Sequence, residues 1–383
     1  MRYLDVGVAE KISKIGLGTW QFGATEWGYG EPFAESEANV IVRRALELGV
    51  TLFDTAEIYG SGRSEEILGR ALGKHRESVF VATKMFPIVP SAFVLRQRAV
   101  ASTRRIGTSR LGLYQVHYPN PLVSDRTLMR GMRSLQQAGV IAEVGVSNYS
   151  LARWRAAEKS LGSRILSNQV EYSLIHRSPE HELLPFAESH DRVIIAFSPL
   201  AMGLLSGKYH GTAPPANLVR ATNPRFGPEY LTRTSELIAV LREVADAHSA
   251  SPTQIALAWV IHSPAVVAIP GAASVEQLES NVAAAEITLA DDEYLALRQA
   301  SGRLGDGPTL PTPGSLDTPE SGPSARFAVR HSLRCGWYVA KTIWRDHAHR
   351  SASKLNPRSR VRLHQKNYAS RAARQDSAPA RFD

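Results

Sequence analysis

The chain has 383 residues, 43% of them hydrophobic, which is ordinary for a globular protein and ample for a large core. Its one cysteine, Cys335, excludes an internal disulfide and a cysteine-rich metal site, and fits a reducing compartment. The net charge of +9 lies almost wholly beyond residue 303, where 14 Lys/Arg face 6 Asp/Glu; residues 1–303 carry 31 and 30, a nearly neutral body that gives no footing for nucleic acid.

The opening MRYLDVGVAEKIS has no apolar core of a secretory signal, and no run approaches the ~18 apolar residues of a membrane span. The expected address is the cytoplasm. The same opening segment is expected to form a short hairpin that plugs the bottom of whatever follows.

Short β-branched runs then alternate with helical patterns. The expected strands are KIGLGT (14–19), TLFDT (51–55), VFVATK (79–84), GLYQVH (112–117), AEVGVS (142–147), SNQVEY (167–172), VIIAFS (193–198) and VVAIPG (266–271). Between them lie amphipathic stretches such as 35–49, 63–73 and 124–139, ended by Gly49, Gly73 and Gly139 in the manner of left-handed caps. Residues 203–233 read as one long loop after the seventh strand, and two helices, 234–248 and 252–263, precede the eighth. Apolar runs buried on both faces indicate parallel strands. Eight such units close naturally as an α/β (β/α)8 TIM barrel over residues 1–303. The competitor is an open doubly wound sheet, but GLG at 16–18 continues as TWQFG and makes no dinucleotide fingerprint.

From 304 the composition changes. Residues 304–324 are rich in Pro, Gly, Ser and Thr and read as a disordered linker. In the basic tail, 325–383, the stretch 325–345 places Arg326, Arg330, Arg334, Lys341 and Arg345 within about 100° of arc if helical. Such a face suits an anionic membrane or a partner. Gly336 weakens the helix, and a tail helix packed on the barrel or no stable helix at all are the plainer readings. The rest reads as disordered.

In a barrel of this kind the active site lies at the C-terminal ends of the strands. Polar residues collect there: Asp54 with Tyr59 in the next loop, then Lys84, His117, Ser147-Asn148, Gln169 and Phe197-Ser198. Singly, Asp54 could cap a helix, Lys84 could be a solvated strand end, and His117 a satisfied core histidine. Their recurrence at equivalent ends of successive strands favours a site. A buried ammonium beside a phenol lowers its pKa, a carboxylate holds the lysine, and a histidine orients a carbonyl oxygen. The result is a general acid for a developing alkoxide, with a hydride donor still to be supplied. No metal is expected, because His117 has no partner at ligand spacing, and no GxSxG elbow is present.

Over about residues 10–300 the sequence resembles the aldo-keto reductase superfamily. The motifs are GLGTWQFG (16–23), LFDTAEIYGSGRSEEILGRAL (52–72), VATK (81–84), LYQVHYP (113–119), VGVSNYS (144–150), NQVEYSLIHR (168–177), FSPLAMGLLSGKY (197–209) and AIPGAASVEQLESN (268–281). The pattern is similar to bacterial reductases related to potassium-channel β subunits. The resemblance implies Tyr59 as proton donor, Lys84 as its tuner, Asp54 as the partner of Lys84, and His117 as carbonyl orienter. It further implies NADPH, with NAD an alternative, extended across the barrel top. Gly18, Thr19, Trp20 and Asp54 would border the cofactor. Ser147, Asn148 and Gln169 would hold the carboxamide, and Phe197, where relatives often carry Tyr, would stack on the ring. Ser198, Leu200, Gly203 and Lys208 would line the pyrophosphate path. Pro270, Gly271, Ser274, Gln277 and Asn281 would grip the adenosine half, near a helix N-terminus. Ala273 stands where many relatives place Arg or Ser, which leaves the 2′-phosphate without its bidentate partner; Lys208 or Arg225 could supply the charge. Trp20, Trp27 and Tyr118, with Tyr59 and His117, would line a substrate pocket.

The expected function is NADP(H)-dependent reduction of an aldehyde or ketone to an alcohol. The alternative is a cofactor-binding sensor or regulatory subunit with little turnover, docked to a partner or an anionic membrane through 325–345.

Overall fold

The computed structural model describes residues 1–8, 10–23, 31–87, 91–120, 124–209, 218–221 and 223–304. The expected linker from 305 onward, the tail with its helix 325–345, and Trp27 lie outside these residues.

Strands β1 (Tyr3–Leu4) and β2 (Ile12–Ser13) pair antiparallel, Leu4 opposite Ile12. This is the expected hairpin. Eight parallel strands follow: β3 (Leu17–Gly18), β4 (Leu52–Asp54), β5 (Phe80–Met85), β6 (Leu111–Val116), β7 (Ile141–Ser147), β8 (Ser167–Glu171), β9 (Val193–Phe197) and β10 (Val266–Ala268). Each pairs with its sequence neighbour. Parallel bridges from Ile15 to Ala268 and from Gly18 to Gly271 close the ring, and Gly16 N donates to the Ala268 carbonyl at 2.8 Å. The chain is therefore a (β/α)8 barrel, as expected. Contact is close at the seam: a Cβ on Gly18 would sit 2.7 Å from the Ile269 carbonyl oxygen.

The connecting helices are α1 (Glu31–Glu47), α2 (Arg63–Leu72), α3 (Ala92–Ile106), α4 (Asp125–Gln137), α5 (Leu151–Leu161) and α6 (Pro179–Ser189). Ser91 and Ser150 start α3 and α5 by accepting the Val94 and Arg153 amides. After β9 the region read as a single long loop contains a 3-10 turn (Ala201–Ser206), α7 (Leu218–Ala221), a second turn (Pro224–Phe226) and α8 (Pro228–Arg233). Pro224 and Pro228 stand at first helical positions, where a missing N–H costs nothing, and the absence of long apolar periodicity hid these short turns. The two expected helices follow as α9 (Ser235–Ala247) and α10 (Pro252–Val260), and α11 (Val275–Ala283) and α12 (Asp291–Arg303) come after β10. No helix among the described residues is long and apolar enough to cross a membrane.

Alternation along the strands sorts the barrel interior into two levels. At the strand starts Leu52, Phe80, Leu113, Val193 and Val267 form one apolar cluster with Val6 and Ile12 of the hairpin, so the hairpin does plug the floor. Two residues farther along the same inward faces come Asp54 and Gln115, with Gln169 two beyond Ser167, Lys84 two beyond Ala82 and His117 just past β6. A second, larger apolar shell, including Phe53, Val81, Val144 and Ile194, packs the strands against the helices.

Candidate active site

Asp54 is the last residue of β4, and Lys84 lies one residue before the end of β5. Both are almost fully buried. Lys84 Nζ donates to Asp54 Oδ1 at 2.6 Å, to the Thr55 carbonyl at 2.8 Å and to Tyr59 Oη at 3.4 Å. The ammonium also lies 5.0 Å from the Tyr59 ring centre. His117 follows β6, its amide bonded to the Met85 carbonyl at 2.9 Å. Its ring meets Tyr59 edge-on at 5.9 Å and stacks on Tyr118 at 4.5 Å, 5° from parallel. The structure thus brings Asp54, Tyr59, Lys84 and His117 together at one barrel mouth.

Burial drives Lys84 down and Asp54 up from their ordinary pKa values; each opposes the other's shift, and Gln169 and Gln115 help hold Asp54 charged. The phenol departs from the expectation that Lys84 would lower its pKa. Burial, and after it the Asp54 carboxylate, push Tyr59 well above its ordinary value. Lys84 Nζ, bonded to Asp54 at 2.6 Å, stands farther from Tyr59 Oη, at 3.4 Å.

The loop that carries Tyr59 is pinned by groups that sequence reasoning did not single out. Glu57 accepts from the Phe86 amide and forms a buried ion pair with Arg98 of α3. Glu65 accepts from Thr83 Oγ1 at 2.6 Å and from Arg105 Nε at 2.6 Å. Glu57 and Glu65 both stood within the 52–72 motif, but nothing in their spacing named Arg98 or Arg105 as partners. Phe86 faces both His117 and Tyr118 edge-on, and the ring centre of Trp20 is 6.3 Å from that of Tyr59.

On the far side of the mouth, Ser147 Oγ donates to the Gln169 carbonyl at 2.9 Å, and Asn148 Nδ2 donates to Ser147 Oγ at 3.0 Å and to the His117 carbonyl at 3.2 Å. Asn148, Ser198, Ala201 and Met202 all adopt positive φ, an uncommon backbone state that collects at functional sites. Phe197 ends β9 opposite Glu171. Leu200 and Gly203 form the turn after it, and Lys208 is exposed beyond it. At the seam, Ser274 caps α11 by accepting the Gln277 amide, Gln277 Oε1 accepts the Ala273 amide at 2.9 Å, and Asn281 Nδ2 donates to the Gly271 carbonyl at 3.3 Å. These three side chains shape the Pro270–Ser274 loop.

Two of the expected site residues have partners within the barrel wall. The Thr19 hydroxyl is buried between the Asp54 carbonyl, at 2.9 Å, and Ser64 Oγ, at 2.8 Å, so it braces the wall. Arg225 is buried and paired with Glu171 at the end of β8. Among the described residues, no group of His, Cys, Asp and Glu could hold a metal ion.

The model of the Aldo/keto reductase family matches residues 14–301. An uncharacterized oxidoreductase of Mycobacterium tuberculosis is 55% identical over 301 residues, 79% of this chain and 93% of that protein. A methylglyoxal reductase of Escherichia coli is 33% identical over 76% of this chain and 91% of its own length. The crystal structure of an aldo-keto reductase from Klebsiella pneumoniae in complex with NADPH superposes with a TM-score of 0.65 at 28% identity, covering 80% of this chain and 97% of that one.

Proposed function

This chain belongs to the aldo-keto reductase family, and on that premise we propose that it reduces an aldehyde or ketone to an alcohol with NADPH, Tyr59 giving the proton. The observation that carries this reading is the buried Lys84, placed between Asp54 Oδ1 at 2.6 Å and Tyr59 Oη at 3.4 Å, with His117 edge-on to the phenol.

The residues at the mouth suit a nicotinamide dinucleotide. Ser147 and Asn148 offer hydroxyl and amide groups beside the tetrad, Phe197 offers a ring face at the end of β9, and the glycines of the seam allow close approach of a backbone to a ligand. When bound, the dinucleotide supplies the hydride. The chain's own part is protonation. Negative charge gathers on the carbonyl oxygen, which His117 and Tyr59 orient. Tyr59 Oη then gives up its proton to the alkoxide, and Lys84 stabilises the phenolate left behind. A phenol with a raised pKa holds its proton until a stronger base, the alkoxide, has formed. The proton returns from solvent.

NADPH is favoured through the family, although Ala273 offers no guanidinium and Arg225 is paired; Lys208, exposed beyond the β9 turn, is the cation we assign to the phosphates. Trp20, Phe86 and Tyr118 wall the mouth with aromatic faces, which fits carbonyl compounds with an apolar or planar body. The test is titration with NADPH and NADH, followed by loss of NADPH absorbance over a panel of aldehydes, ketones and sugars. Binding with turnover supports the reductase. Binding with no turnover on any carbonyl overturns it in favour of a sensor.

A further inference from the structure

Gln169 lies on β8 and Asp54 on β4, four strands apart in a ring of eight and so on opposite sides of the barrel. The side chain of Gln169 crosses the interior. Its Nε2 donates to Asp54 Oδ2 at 2.8 Å, while Asp54 Oδ1 takes Lys84 Nζ at 2.6 Å. We propose that Gln169 is a positioning residue: it fixes the plane of the Asp54 carboxylate for Lys84, and so ties the acid group to the side of the mouth formed by Ser147 and Asn148. The proposal rests on the reductase reading above for its kinetic consequences, and on the geometry alone for its binding consequence.

A carboxylate turns freely about its Cβ–Cγ bond unless both oxygens are held. Here one is held by a cation on the neighbouring strand and the other by an amide from across the barrel. The amide reaches from a rigid base. Gln169 pairs with Ser147 on one side and Ile195 on the other, and its carbonyl accepts both Asn148 N and Ser147 Oγ at 2.9 Å. One residue therefore holds Ser147 and Asn148 through its backbone and Asp54 through its side chain. Displacement of Ser147 and Asn148 by a bound ligand would be felt at Asp54, and the reverse.

An amide is the fitting group at this place. The charged groups facing Asp54 and Lys84 are each other, with Tyr59 beside them and Glu65 acting on Lys84 from behind. A carboxylate at 169 would compete for Lys84 and repel Asp54. An ammonium there would draw Asp54 off Lys84. An apolar side chain would leave a buried carboxylate oxygen without a donor. Only a neutral donor leaves Lys84 as the single cation on Asp54.

The experiment is a double-mutant cycle of Gln169→Met and Asp54→Asn, with Gln169→Glu as a second variant, on the full chain. Two quantities are read: the NADPH dissociation constant by tryptophan fluorescence, and kcat at saturating NADPH across pH. We expect Gln169→Met to lower kcat roughly tenfold or more, the scale of one hydrogen bond to a charged group, and to move the acid limb of the profile upward, since Asp54 loses a donor to its charged form. In the Asp54→Asn background the same change should cost about twofold at most, because the partner is already altered. The dissociation constants should show the same non-additivity without any turnover. Gln169→Glu should be impaired more as pH rises and the second carboxylate ionises. The proposal is overturned if Gln169→Met weakens NADPH binding alone, with kcat and its pH profile unmoved, or if its effect is equal in both backgrounds. Should Gln169→Met fail to fold, Gln169→Glu decides: an impairment independent of pH overturns the role. A wild-type chain that binds NADPH but never turns over would sink the reductase reading, and the binding cycle would still test the link between 169 and 54.

Discussion

The floor and the mouth of the barrel are built from the same strands and differ in almost every physical respect. At the floor Leu52, Phe80, Leu113 and Val193 meet Val6 and Ile12 in an apolar cluster with no directional requirement beyond close packing. Farther along the barrel interior stand Asp54, Lys84 and Gln169, each buried and each hydrogen-bonded to a particular partner. Burial at the floor stabilises the fold. Burial at the mouth raises the pKa of a phenol, opposes a lysine's charge, and holds both in place for chemistry. A single period-2 strand thus serves stability at one end and reactivity at the other.

The largest expected effect is at the mouth. Tyr59→Phe should cut carbonyl reduction by about a hundredfold to ten-thousandfold, the range of a positioned general acid. The NADPH dissociation constant and melting temperature should stay near the wild-type values. Turnover close to wild type in that variant would remove Tyr59 from the acid role.

Next comes a pair of variants that separates the two levels by stability. Phe80→Ala at the floor should cost about 3–5 kcal/mol by denaturant unfolding, with kcat of the folded fraction little changed. Lys84→Met at the mouth should cost a comparable amount, about 3–5 kcal/mol, because Asp54 is left buried without its cation, and should abolish turnover as well. Adding Asp54→Asn should recover most of the lost stability and none of the activity. Independent, additive stability losses at 54 and 84 would show that the pair is not the unit described here.

A smaller effect concerns Lys14, a buried cation near the floor. Lys14 Nζ donates to the carbonyls of Ser263 at 2.6 Å and Val266 at 2.7 Å, and burial lowers its pKa from the ordinary 10.5 to about 8. Between these values the unfolded chain holds a proton that the folded chain has released. Stability from this group therefore rises with pH from about 8 to about 10.5. Wild type should gain on Lys14→Met over that window by on the order of 2 kcal/mol. Parallel stability curves for the two proteins would contradict the shift.

The smallest expected effect is that of removing residues 305–383. Helix α12 ends at Arg303, and the Leu304 carbonyl accepts from Arg233, so the barrel is complete by that point. Melting temperature, NADPH affinity and kcat should be unchanged. A fall in melting temperature would show that the tail takes part in the fold.

Local pattern was enough for the strands, the helix-ending glycines, the N-terminal plug, and the positions of Asp54, Tyr59, Lys84 and His117, because a strand's inward face repeats every second residue and its last polar residue marks the mouth. The short helical turns between 201 and 233 were not legible, since three to six residues carry no period. Nor was the direction of the Tyr59 shift, which depends on how deeply the folded barrel buries the phenol and on how near it brings the Asp54 carboxylate. What the sequence by itself determined was which chemical groups stand at each level of the barrel. What only the tertiary structure decided was their partners: Glu57 with Arg98, Arg225 with Glu171, and Gln169 with Asp54, 115 residues away. A hydrogen bond is selected by distance and direction in space, and closing the barrel is what makes residues far apart in the chain neighbours at its centre.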